Sequence, residues 1–350
     1  MQADTASPTR EDERLDETRL SAYLAEQVPE FQGRLEVEQF HGGHANLTYA
    51  LTMGGSEFVL RRPPLGPVAP RSHDMRREFK GLSALAPVYP HSPRAIHLCE
   101  DEDVIGAVFF LMERRRGYVI RNAWPESLSD DPALRRQVSE SLIDALADLH
   151  SVDATLPGLA ELGKPEGFVE RQVSGWFGRW EKAKTREIPA MEELGAWLRE
   201  RIPDSGQVAV LHNDFKLDNA MYDLQDPGRL VAVFDWDMVT VGDPLVDLGT
   251  LLGYWPDPGD TIPRGSGQAV SQLPGFLDRA ALADRYAERT GFDLGNLAFY
   301  ETFALFKTAV VIEQIYVRWV RGQTKDDRFK PMGALVPLLA QAAQQVSARP

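Results

Sequence analysis

The chain has 350 residues, 43% of them hydrophobic, which is enough for one large or two moderate domains with real cores. Its formal net charge of −14 argues against a nucleic-acid binder, which would carry a basic face or stripe. A single cysteine, Cys99, excludes an intramolecular disulfide framework, and the polar, acidic start from Met1 to Thr18 lacks a signal-peptide pattern, so a reducing cytoplasm is the expected setting.

Residues 1–15 read as a flexible acidic tail. A helix near Asp16 to Gln27 carries Leu20, Tyr23 and Leu24 on one side. Two β-like runs, Val37 to Phe40 and Leu47 to Leu51, flank the glycine pair Gly42 and Gly43, and a further strand is expected over Glu57 to Arg61. Asp74 to Leu85 has the period of a helix facing one way with Met75, Phe79 and Leu82. Val104 to Met112 is a strongly apolar run that reads as a strand, and the charged Glu113 to Arg116 follows it abruptly. Two stretches are locally basic: residues 61–80 hold six Arg or Lys against two acids, a local +4, and Arg114, Arg115, Arg116 and Arg121 follow.

Asp131 as N-cap and Pro132 at the first helical position start a helix that carries Leu134, Val138, Leu142, Leu146 and Leu149 and ends at His150. Phe168 to Ile202 is a helical stretch whose Trp176, Phe177, Trp180 and Trp197 serve either the core or an acceptor pocket. Further helices are expected near Arg279 to Thr290 and Leu297 to Arg321, after a Pro/Gly-rich loop at Pro256 to Gly275. The last helix is interrupted by Glu301, Lys307, Glu313 and Arg318, which makes it a core helix rather than a membrane span.

Most of the recognisable chemistry lies between Val208 and Asp237. Three short strands are expected there, Val208 to Leu211, Ala220 to Tyr222 and Leu230 to Trp236, with Asp226 to Gly228 as turn residues. Such a hairpin unit would bring Asp214, Asn219 and Asp235 together. From His212 through Asp214 to Asn219 the spacing is H-x-D-x-x-x-x-N, the pattern of a phosphoryl-transfer catalytic loop followed by a metal-binding Asp. A hydroxyl attacking a γ-phosphate needs a carboxylate to orient it and take its proton, which suits Asp214. Mg²⁺ needs hard oxygen ligands, which Asn219 and Asp235 offer, and Lys216 supplies a point charge for the transferred phosphate.

With the phrases FVLRRPP, LHNDFKLDN and FDWDMVTVGDPLVDLG, this unit resembles the aminoglycoside phosphotransferase and choline kinase superfamily, and within it the bacterial phosphotransferases related to the kinase-like domain of acyl-CoA dehydrogenase fusions. The resemblance implies an α+β, two-lobed protein-kinase-like fold: a small antiparallel-sheet N-lobe over 16–113 that binds nucleotide, and a mainly helical C-lobe over 114–350 that carries catalysis and acceptor binding. It implies a nucleotide-covering loop with Gly42, Gly43 and Asn46, a phosphate-binding cation at Arg61 with Arg62 as competitor, and Glu78 as the helix acid that orients the cation. Backbone at Met112 to Arg114 would hold the nucleobase, His150 would be structural, and Asp237 would stand in or just behind the metal shell.

The expected reaction moves the γ-phosphate of ATP or GTP, with Mg²⁺, to a hydroxyl of a small molecule. A hydroxyacyl-CoA-type metabolite is the favoured acceptor, since the arginine patches suit an anionic group; no nucleic-acid or membrane partner is expected. An aminoglycoside kinase, a nucleotide-binding pseudokinase that regulates a partner and a nucleotide hydrolase remain as alternatives.

Overall fold

The computed structural model describes residues 6–29, 31–41, 46–66, 73–204, 206–264, 270–324 and 326–349. Gly42 and Gly43 lie outside the described residues.

The chain begins with α1 (Glu17–Gln27), capped by the Asp16 side chain, which accepts from the Arg19 N–H. The part of the acidic tail that is described is not loose: Ser7 and Gln39 exchange two backbone hydrogen bonds, of 3.0 and 2.8 Å, and the Tyr49 hydroxyl donates to Glu13 O at 2.7 Å. Next come β1 (Leu35–Phe40), β2 (Leu47–Met53), β3 (Ser56–Arg62), α2 (Met75–Leu85), β4 (Ala95–Cys99) and β5 (Phe109–Glu113). They build an antiparallel sheet in the order β1-β2-β3-β5-β4. The apolar run expected as one strand from Val104 starts its strand only at Phe109. Residues 102–105 form a turn, and Gly106 takes a left-handed φ of 78° that turns the chain back into the sheet.

The two-residue period of the sheet sorts its side chains. Leu60, Phe109 and Leu111 join Leu20, Leu24 and Phe31 in a core under α1, while Val59, Phe110 and Met112 face α2 and the main core of the second lobe. Arg61 shares the face of Val59, so it points toward α2. Arg62 is on the opposite face, where its Nη1 donates to the Ile105 carbonyl at 2.9 Å.

The second lobe contains β6 (Tyr118–Val119), α3 (Pro132–His150), α4 (Phe168–Ala183), α5 (Pro189–Glu200), β7 (Ala209–Leu211), β8 (Ala220–Tyr222), β9 (Leu230–Val233), β10 (Thr240–Gly242), α6 (Leu245–Gly253), α7 (Arg279–Thr290), α8 (Leu297–Val320) and α9 (Leu335–Ser347). The expected three-strand unit is divided between two ribbons. β7 pairs with β10, whereas β8 and β9 form the hairpin with β6 on its outer edge. β9 stops at Val233, short of the expected Trp236, because Asp235 adopts a left-handed φ of 68° that no ladder accommodates. The fold class is as expected: a small antiparallel-sheet lobe on a larger, mainly helical lobe. Among the described residues, no helix is long and apolar enough to cross a membrane.

α6 is buried along its whole length and crosses α8 closely at Gly249. A Cβ there would stand 2.6 Å from the backbone carbonyl of Tyr300, so only glycine permits the approach. Gly249→Ala is therefore expected to lower unfolding stability by about 1–3 kcal/mol, through a shift of α6 against α8, as read by chemical denaturation.

Candidate active site

β7 delivers the chain to a turn held by a dense set of hydrogen bonds. The N–H groups of His212 and Asn213 both donate to the carboxylate of Asp247 in the first turn of α6, each at 2.6 Å. His212 is fully buried; its Nε2 lies 2.8 Å from Phe234 O and its Nδ1 accepts the Asp214 N–H at 3.2 Å, a pattern that requires the neutral ring protonated on Nε2. Asn213 is left-handed at φ 66°, and its side-chain amide donates to Met238 O at 2.9 Å. These ties present Asp214 at the mouth of the cleft between the lobes.

Asn219 follows in a short 3-10 turn. Its Nδ2 donates to the backbone oxygen of Asp214 at 2.9 Å and to the carboxylate at 3.3 Å, and its own carbonyl accepts from the Phe234 N–H at 2.8 Å. Asp235, one residue beyond Phe234, is thereby brought beside the loop, as expected. Lys216 Nζ lies 2.8 Å from the Asp214 carboxylate and 5.1 Å from the Tyr254 ring. Burial lowers the Lys216 pKa, but Asp214 raises it more, so its ammonium stays charged.

The upper wall of the cleft supplies the cation. Arg61 Nη2 donates to Asp235 Oδ1 at 2.6 Å, and Nη1 lies 3.3 Å from Glu78 on α2. The choice between Arg61 and Arg62 is thus made by strand parity. Glu78 is almost wholly buried, and desolvation pushes its pKa up to about 8 against the opposing pull of Arg61, with Asp235 and Asp237 adding to the rise. Asp237 is likewise pushed up to about 6, by burial and then by Asp235. Burial also raises Asp235, but the Arg61 charge and hydrogen bond outweigh it and leave this carboxyl below its ordinary value.

Asn46 stands at the entry to β2, and its Oδ1 lies 2.8 Å from Nδ1 of His73, a residue the sequence did not single out. His73 adopts φ 58°, and burial followed by the Arg61 charge depresses its pKa, which keeps it neutral. Met112 has strand partners on both sides, Val59 and Ala95, so backbone free of the ladder begins only at Arg114. The Arg114 side chain turns away to Glu57 at 3.2 Å and lies over the Phe40 ring. The basic stretches are largely neutralised: Arg115 pairs with Glu113, Arg116 with Glu57, Arg76 with Glu100 and Lys80 with Glu161.

His150 is structural. Its Nδ1 is 2.6 Å from the Tyr286 hydroxyl and its Nε2 is 3.4 Å from Asp247, inside the core. Lys307 had registered only as a charge interrupting α8, yet its Nζ donates to Asn213 O at 2.7 Å, on the catalytic turn itself. The signal was present in the sequence as a lone lysine in the apolar stretch Phe303 to Ile312.

The donor set is compatible with magnesium. Among the described residues, the Asn219 amide oxygen has no hydrogen-bond partner, and Asp235 has one oxygen on Arg61 and one without a partner. One carboxylate and one amide oxygen are few ligands for a protein cage but ordinary for magnesium held together with nucleotide phosphates. The described residues contain no group of three His, Cys, Asp or Glu able to hold a metal by themselves.

Two lobes, a catalytic turn and a cation clamp across the cleft define a small-molecule kinase of the protein-kinase-like fold. The chain belongs to the phosphotransferase enzyme family (APH), whose family model matches residues 36–300. A crystal structure from Ralstonia eutropha JMP134, with a provisional aminoglycoside phosphotransferase assignment, is 31% identical, covers 95% of this chain and 98% of its own, and superimposes with a TM-score of 0.81. Acyl-CoA dehydrogenase family member 11 of Rattus norvegicus is 34% identical over 94% of this chain, but the match covers only 43% of that protein. The chain thus spans less than half the length of that relative. A thermostable mutant of aminoglycoside phosphotransferase APH(4)-Ia, in complex with AMP-PNP and hygromycin B, shares the fold at TM-score 0.59 and 15% identity, with 95% of this chain and 99% of its own covered.

Asp247→Ala leaves two buried N–H groups without an acceptor, so a loss of about 2–5 kcal/mol is expected in denaturant unfolding, with turnover falling further than stability alone explains. A second outcome concerns pH. Because Glu78 is raised in the folded protein from 4.5 to about 8, folding takes up a proton between those values, and stability falls as pH rises through the window. Thermal unfolding without nucleotide should show this slope, and Glu78→Gln should flatten it.

Proposed function

We propose that this chain transfers the γ-phosphate of ATP to a hydroxyl group of a small molecule. The observation that carries the reading is Asn219 bonded to Asp214, with Asp235 held beside that loop through the Phe234 N–H and bonded across the cleft by Arg61, which Glu78 supports. Asp214 orients the acceptor hydroxyl and takes its proton as the oxygen attacks phosphorus. Lys216, 2.8 Å from that carboxylate, is placed to balance charge on the transferred phosphoryl group. Arg61 clamps the nucleotide phosphates and Glu78 fixes the guanidinium. Asn219 and Asp235 hold magnesium, which when bound neutralises phosphate charge and fixes the phosphates' geometry. Asp237 supports Asp235 from behind. Asn46 and backbone near Arg114 are assigned to the nucleotide's periphery, and GTP is an alternative donor.

For the acceptor, the match to the kinase-like part of an acyl-CoA dehydrogenase family member supports a hydroxyacyl-CoA-type metabolite. The hygromycin B complex of APH(4)-Ia is the contrasting case of an antibiotic acceptor, in a protein only 15% identical. A pseudokinase would have no need to keep Asp214, Asn219 and Asp235 together.

Asp214→Asn should lower turnover by about 10²–10⁴-fold while nucleotide binding persists, measured as phosphorylated product by mass spectrometry and as nucleotide affinity by titration. Unchanged turnover in that variant would remove Asp214 from the mechanism.

A further inference from the structure

Beside Asp214, on the C-lobe side of the cleft, two cations meet one aromatic ring. Lys307, partly exposed on α8, has Nζ 5.6 Å from the centroid of Trp176, and Arg179, one turn after Trp176 on α4, lies 4.2 Å above the same ring. Neither has a carboxylate partner among the described residues, in contrast to Lys216, Arg61, Arg114 and Arg116 around the same cleft. Lys307 makes one hydrogen bond, to Asn213 O, so two of its three ammonium protons remain to be used. Burial acts most strongly against its protonated form and lowers its pKa; the charges of Asp214 and Asp247 partly offset this, while those of Lys216 and Arg179 add to it. Arg179 is exposed and Lys307 partly exposed, so an oxyanion from solvent can reach both cations.

We propose that Arg179, Lys307 and the Trp176 ring form an oxyanion subsite for the acceptor, so that the molecule phosphorylated carries a carboxylate or phosphate group close to the reacting hydroxyl. The proposal rests on the phosphotransferase reading above and favours a free hydroxy acid or a phosphorylated metabolite over the CoA thioester, whose phosphates lie far from its acyl hydroxyl. Because Lys307 is bonded to the residue immediately before Asp214, an anion at this subsite is tethered next to the base. The guanidinium offers a planar fork to the oxyanion and the ammonium a point charge, and the buried indole beneath them holds both cations in place. A cationic acceptor would meet repulsion at the same place.

The test is a calorimetric titration of the protein, saturated with magnesium and a non-hydrolysable ATP analogue so that the γ-phosphate position is filled. Acetate and inorganic phosphate are titrated separately at constant ionic strength. Saturable binding of at least one oxyanion is expected, weakened about tenfold or more in the Arg179→Gln/Lys307→Met double variant, a loss of about 1.4 kcal/mol or more. Tighter binding of acetate assigns a carboxylate acceptor, and tighter binding of phosphate a phosphorylated one. Arg179→Glu, at an exposed helix position, gives the same reading should the double variant not fold. Absence of saturable binding for both anions, or binding undiminished in the variants, overturns the subsite. The phosphotransferase reading is judged separately on the turnover of Asp214→Asn, which should still bind the anion.

Discussion

The carboxylate of Asp247 is the constraint from which the catalytic turn takes its shape. It lies in the core with no exposed surface, accepts the N–H groups of His212 and Asn213, and has the His150 ring at 3.4 Å. Burial by itself would raise its pKa, but the hydrogen bonds from His150 and from the His212 N–H, with other favourable interactions of the two histidines, outweigh burial, so the group stays below its ordinary value. A buried anion is tolerable because those donors surround it. Through it, α6 holds the end of β7, α3 contributes His150, and α7 steadies that ring with Tyr286. Lys307 from α8 completes the set on the Asn213 carbonyl. The left-handed turn at Asn213 is sustained because its N–H, carbonyl and side-chain amide are all bonded from outside the turn.

A second connection joins the lobes. Arg61 reaches from the sheet to Asp235 while Glu78 on α2 supports it, and Arg77 on the same helix donates to Val239 O at 2.9 Å. Gly81 lets α2 approach so closely that a Cβ there would stand 2.5 Å from the Val239 side chain. The helix that carries Glu78 is therefore seated directly on the segment that carries Asp235. The charges divide by position: Glu78, Asp235 and Asp237 gather around Arg61, while Lys216 and Lys307 stand near Asp214, with Arg179 beside Lys307. Within the arginine-rich stretches, Arg76, Arg115 and Arg116 are taken up in ion pairs with Glu100, Glu113 and Glu57, whereas among the described residues Lys307 and Arg179 near Trp176 form no ion pair.

The sequence by itself determined the reaction type and the order of the elements. Spacing within His212 to Asn219, an acid after the next strand pair and a clean cap at Asp131 are local features, because loop registry and helix ends depend on neighbours in the chain. Strand parity even contained the answer for Arg61 against Arg62, given which face of β3 the helix covers. Tertiary structure decided what depends on groups far apart in the chain. The pairing of β7 with β10, the early end of β9 at a left-handed Asp235, the neutralisation of the arginine patches and the arrival of Lys307 at Asn213, 94 residues away, have no local signature. Local periodicity records only which side of a segment is buried. Which partner buries it, and which charges are left uncompensated around Asp214, is set by how distant helices pack.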